Sequence, residues 1–134
     1  MQADGDTRTE PSTGGAFAIG ERQLAHDTTV LSVEGDLDLA SAPELKWALG
    51  DLQASGARHV VIDLAKVGFI DSTALGVLVG AQRALEQGIR MAIACQEENV
   101  LRIFELTGLD CMFEIVPTLE QALEYVQGRT TAAG

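Results

Sequence analysis

Two short apolar runs, His59-Val-Val-Ile-Asp-Leu64 and Arg90-Met-Ala-Ile-Ala-Cys95, are each set between stretches of helical periodicity. Apolar runs of this length, without polar alternation, suit strands buried on both faces. The stretch between them places Leu75, Leu78, Val79 and Leu85 on one face of a helix expected from about Ser72 to Gln87, with Gly88 as its stop. Strands joined through a helix should run parallel with a right-handed crossover. That excludes a simple bundle or an all-antiparallel sandwich and points to an α/β sheet.

The same alternation extends in both directions. Ala16 to Leu24 reads as a first strand, His26-Asp27-Thr28 as a turn, and Thr29 to Val33 as a second strand, together a hairpin. Ser41-Ala-Pro-Glu44 predicts a helix start, with Ser41 as cap, Pro43 in the first turn and Glu44 bonding back. Leu45, Ala48, Leu49 and Leu52 then share a face, and Gly56 is the stop. Beyond the second apolar run, Asn99 is expected to cap a helix that points Val100, Ile103 and Phe104 inward and ends at Gly108. Phe113 to Val116 is the last strand. Thr118-Leu-Glu-Gln121 is a capping box for a helix with Leu119, Ala122, Leu123 and Val126 as its apolar face. The order β-β-α-β-α-β-α-β-α predicts one α/β domain with a mixed sheet of about five strands and about four helices.

A chain of 134 residues suffices for one core and not two. The domain is expected over residues 15–128, between small, polar tails at 1–14 and 129–134 that read as disordered. Aromatics are only 4%, so the core rests on Leu, Val, Ile and Ala. The formal net charge of −11 argues against nucleic acid and anionic membrane surfaces as partners. No run approaches the ~18 apolar residues of a membrane helix. The start Met1-Gln2-Ala3-Asp4-Gly5-Asp6 lacks the basic and apolar regions of a secretory signal, which leads to a cytoplasmic expectation.

Cys95 and Cys111 have no CxxC spacing and no nearby histidine, and read as reduced thiols. His26 and His59 stand alone, so neither a metal site nor a Cys–His nucleophile is supported. Gly76 and Gly80 lack the GxxxxGK or GxGxxG context of a phosphate loop, and no cofactor is expected. Their spacing suggests instead that α-helix and sheet approach closely there. Trp47 falls about 200° around its helix from Leu45, off the main apolar face. It anchors an interface or folds over the edge of the core; the pattern leaves both open.

Chemistry concentrates in Val67-Gly-Phe-Ile-Asp-Ser-Thr-Ala-Leu-Gly76, which follows a buried strand and opens a helix. Sites in α/β sheets form at the carboxyl ends of strands. The first N–H groups of the helix lack intrahelical partners, and its macrodipole favours negative charge. Asp71 or Ser72 serves as the N-cap on local spacing, and a hydroxyl there is placed to carry a phosphate.

Asp71-Ser72-Thr73-Ala74-Leu75-Gly76 resembles the phosphoacceptor loop of STAS-domain anti-sigma factor antagonists, commonly Asp-Ser-Ser/Thr-Gly-Leu. Gly35-Asp36-Leu37-Asp38 with Ala42-Pro43-Glu44-Leu45 is similar to that family's loop between the second strand and first helix. Asn99 to Leu109, Phe113-Glu-Ile115 and Thr118 to Leu123 resemble its C-terminal third, so the likeness covers roughly residues 16–127. Ala74 departs from it, standing where glycine is common.

The resemblance implies a binding module and not an enzyme. Unmodified, such a protein binds an anti-sigma factor and frees a sigma factor for transcription. The anti-sigma factor, often a serine kinase using ATP, phosphorylates the antagonist and ends the complex, and a serine phosphatase resets it. Carried over, the phosphoacceptor is Ser72, with Thr73 the less favoured neighbour, and the partner surface comprises Asp36, Asp38, Asp71, Ser72, Thr73 and Ala74. One alternative is a STAS subunit of a structural or transport-linked complex without a phosphorylation cycle. A weaker one is a small enzyme with Ser72 as nucleophile, which lacks GxSxG and an evident base.

Overall fold

The computed structural model describes residues 17–25, 27–56, 58–85 and 89–128. The tails expected to be disordered, His26 and Gly88 lie outside the described residues.

The strands are β1 (Ala18–Ala25), β2 (Thr28–Glu34), β3 (His59–Lys66), β4 (Met91–Ala94) and β5 (Glu114–Val116). The helices are α1 (Ala42–Ala54), α2 (Ser72–Arg83), α3 (Glu98–Leu106) and α4 (Leu119–Val126). The sheet is mixed: β1 pairs antiparallel with β2, and β2, β3, β4 and β5 follow in parallel, in sequence order. The hairpin accounts for the antiparallel edge, and each helical crossover for a parallel pair.

Alternation along the strands divides the core in two. Leu31, Ile62 and Ile93 align across β2, β3 and β4 on one face. They pack with Leu45, Leu49 and Leu52 of α1, Leu75 and Leu78 of α2, and Val100 and Phe104 of α3. Val30, Val61 and Ala92 align on the other face, under Ala122 and Val126 of α4. The central strands bury both faces, which is why they read as unbroken apolar runs. Phe104 meets Phe113 edge-to-face at 5.7 Å between ring centroids.

Several local expectations are corrected. Ser41 makes no side-chain cap bond to α1. Its backbone is already helical, and the Ala42 N–H donates to Asp38 O at 2.8 Å, so the turn begins one step earlier. α2 ends at Arg83 and not near Gln87; Leu85 lies past the helix yet still packs against the core, which imitated a longer periodicity. Glu97, not Asn99, occupies the cap position of α3, in extended backbone and without a side-chain bond. A short 3₁₀ turn, Leu109–Cys111, follows α3 and was not legible from periodicity. The strand expected over Arg90–Cys95 is assigned as Met91–Ala94, although backbone bonds from Val60 N–H to Arg90 O and from Cys95 N–H to Val116 O prolong its pairing. Gly76 and Gly80 are exposed, and a Cβ on either would meet nothing within 4 Å, so close packing onto the sheet is not their role.

Candidate functional site

Two loops leave the carboxyl ends of the parallel neighbours β2 and β3 and are tied to each other at once. Gly35 N–H donates to Lys66 O at 3.1 Å, Leu37 N–H to Phe69 O at 2.9 Å, and Asp71 N–H to Leu37 O at 3.0 Å. Gly35 has φ 103°, a left-handed turn that favours glycine. The resulting bridge between Leu37 and Ile70 is pinned by burial of both side chains. It sets Asp36 and Asp38 in a loop beside the one that carries Asp71, Ser72 and Thr73, at one end of the sheet.

The first loop is braced from within. Asp38 Oδ1 accepts from the Ala40 N–H at 3.0 Å and the Ser41 N–H at 3.2 Å. Ser41 Oγ accepts from the Asp38 N–H at 3.0 Å and donates to Asp36 O at 2.7 Å. Asp38 therefore faces its own turn, while Asp36 is exposed. Ser41 is buried and holds the loop that presents Asp36. Sequence reasoning assigns it to a helix cap and misses this role; the Asp-x-x-Ser spacing was the signal, since short polar side chains also close turns.

The second loop ends in the N-cap of α2. Asp71 has extended backbone (φ −116°, ψ −178°), and its Oδ1 accepts from the Thr73 and Ala74 N–H groups at 3.0 and 3.1 Å. Asp71 and not Ser72 is thus the cap. Ser72 and Thr73 are exposed at the first two helical positions. Ala74 is fully buried and packs in the core beneath them, so its methyl group is not on the surface near Ser72.

Sequence reasoning also missed how much apolar surface surrounds this end of the molecule. Leu39 is 71% exposed at the tip of the first loop, and Phe69 is 48% exposed in the second. Trp47 is 75% exposed, which rules out its folding over the core.

Among the described residues, His59 is the one histidine that could be weighed as a base for Ser72. His59 stands at the amino end of β3, whereas Ser72 follows the carboxyl end, so about 25 Å of strand separates them. His59 Nδ1 accepts from the Arg90 N–H at 3.0 Å. Burial lowers its pKa, Asp27 opposes that, and Arg58 and Arg90 add to it. Burial likewise pushes the Cys95 thiol up, keeping it protonated. The site offers an exposed hydroxyl, a carboxylate cap and flanking apolar side chains.

Known proteins resemble this chain in sequence and in fold. The STAS domain model matches residues 21–122. The anti-sigma-F factor antagonist RsfB of Mycobacterium tuberculosis is 33% identical over 99 residues, covering 74% of this chain and 81% of that protein. An anti-sigma-B factor antagonist of Staphylococcus aureus is 34% identical over 86 residues, covering 63% and 80%. The crystal structure of an anti-sigma factor antagonist from Mycobacterium paratuberculosis superposes with a TM-score of 0.78 at 31% identity, covering 83% of this chain and 94% of that one. The matched span takes in both loops of the site and all but the first residues of the sheet that carries them, and this chain belongs to the STAS domain family, among relatives that are anti-sigma factor antagonists.

Proposed function

We propose that this chain is an anti-sigma factor antagonist: with Ser72 unmodified it binds an anti-sigma factor in the cytoplasm, releasing a sigma factor for transcription. Phosphorylation of Ser72 by that partner, acting as an ATP-dependent serine kinase, ends the complex, and a serine phosphatase restores it. The protein itself is the regulated module and turns over no substrate.

The observation that carries this reading is Ser72 itself. It is the exposed first residue of a helix whose cap is already supplied by Asp71, so its hydroxyl is spared from holding the fold. A modified side chain there alters the surface and leaves the core in place. The names of the relatives support the partner class, and Asp36 in the adjoining loop supports an acidic recognition patch with Asp71.

The test is incubation with the anti-sigma factor kinases of the protein's own host and ATP, followed by intact mass and peptide mapping. One phosphate on Ser72, absent from Ser72→Ala, is expected. Phosphate on Thr73, or no binding to any anti-sigma factor, overturns the assignment.

A further inference from the structure

Trp47 and Leu39 are, with Leu106, the most exposed large apolar side chains among the described residues. They are not scattered. Both line a groove of about 840 Å³ between α1 and α2, together with Pro43, Val77 and Thr73. It adjoins a second hollow of about 530 Å³ along the same helix pair, lined by Gly50, Gly76 and Gly80. Side chains at these glycine positions would project into open space, so their absence is what leaves the hollow open.

Thr73 connects this surface to the candidate site. It lines both hollows and is the immediate neighbour of Ser72. A specific protein interface buries about 800 Å² on each partner, a patch reaching roughly 16 Å from its centre. A partner of that size centred on Ser72 therefore lies over the mouth of the groove. Charge selects among occupants. Asp51 and Lys46 of α1 line the groove, Glu44 is exposed in the first turn of the same helix, and the loop that carries Leu39 also carries the exposed Asp36. A second copy of a chain with net charge −11 would meet its own repulsion there.

We infer that the α1–α2 groove is the affinity half of the partner surface: it receives an apolar side chain, flanked by basic residues, of the same anti-sigma factor that meets Ser72, with Trp47 and Leu39 as its anchors. The inference rests on the function proposed above. The two halves of the surface then differ in role. The loop end carries the phosphate, and the groove supplies desolvated contact area, for which tryptophan is the favoured residue.

The experiment is titration calorimetry of the host's purified anti-sigma factor with wild type, Trp47→Ala, Leu39→Ala and Leu106→Ala. Leu106 is 75% exposed and lines neither hollow, so it controls for general loss of apolar surface. All three residues are exposed, and circular dichroism should match wild type. Expected is a loss of affinity of at least about tenfold for Trp47→Ala, a smaller loss for Leu39→Ala, and none for Leu106→Ala. If Ser72 phosphorylation weakens binding while Trp47→Ala binds like wild type, the groove is overturned and the function stands. If wild type binds no anti-sigma factor, both fall. A concentration-dependent dimer of this chain that Trp47→Ala abolishes would assign the groove to a second copy and overturn the inference.

Discussion

Asp71 divides labour with its neighbour. Its carboxylate closes the helix start through two N–H groups, which leaves the Ser72 hydroxyl outside the structural network. Losing an N-cap carboxylate costs about 1 kcal/mol, while asparagine caps almost equally well. Asp71→Ala should therefore lower stability in urea by about 1 kcal/mol and Asp71→Asn by much less; equal stability of all three forms would remove the cap from the account. His59 supplies a second residue-scale test. Its folded pKa is lowered chiefly by burial, and the neutral ring accepts the Arg90 N–H that joins the starts of β3 and β4. The unfolded chain protonates near pH 6.5, before the folded one does. This contribution to stability is thus present above about pH 6.5 and is lost as pH falls through the window below it. The urea midpoint should fall between about pH 7.5 and about pH 5.5, and His59→Asn should flatten that slope. An unchanged slope would mean that His59 titrates alike in both states. At this scale the helix start at Asp71-Ser72 was legible, because cap and first turn have a local sequence signature, while which of the two caps was left open by spacing alone. Ser41 was not, because one hydroxyl serves a cap or a turn equally well and the neighbouring Asp38 decides which.

Periodicity made the elements legible and their ends less so. The central strands stood out because both faces are buried, and α1 because Leu45, Leu49 and Leu52 lie on one stripe. The end of α2 was obscured because Leu85 reaches the core from beyond the helix. The sequential order of the strands had no local signal at all, since it is fixed by where each crossover lands. Glycines in α2 misled for a related reason: their spacing matches both close packing and an open surface. With no atom within 4 Å of a built Cβ and ordinary helical backbone, Gly76→Ala and Gly80→Ala should each raise stability by up to about 1 kcal/mol, the helix propensity difference. Thermal unfolding of the single and double variants measures it. Destabilisation by either would restore the packing explanation. A gain in stability coupled to weaker partner binding would show that openness of the hollow is kept for recognition at a cost in helix stability.

At the scale of the whole molecule, a net charge of −11 and a local phosphate act over different distances. An overall field of this sign favours the approach of a basic partner and would govern mainly the association rate. It is screened by salt, with a Debye length of about 8 Å in physiological buffer and about 3 Å at 1 M. A phosphate on Ser72 adds about −1.5 to −2 charges beside Asp71. The helix N-terminus offsets a fraction of that, typically 0.3–1 kcal/mol at an exposed site, so the fold should tolerate it. For a partner seated on this end of the sheet the added group is a bulky dianion with its hydration removed, and poorly paired charge in an interface costs several kcal/mol. Each 1.4 kcal/mol is a factor of about ten in affinity. Phosphorylation should therefore weaken binding by at least ~100-fold, through a faster dissociation rate, since the added negative charge does not impair steering. Raising salt should slow association of the unmodified protein, and the ratio between bare and phosphorylated forms should persist at high salt, where the long-range field is gone. Ser72→Ala should bind like the bare protein and resist inactivation, and Ser72→Glu, with one charge, should fall between. Surface plasmon resonance at low and high salt, alongside circular dichroism of each form, makes the measurement. Equal affinities would sink the switch, a ratio that vanishes at high salt would make it a field effect, and loss of helical signal on phosphorylation would make it an unfolding of the start of α2.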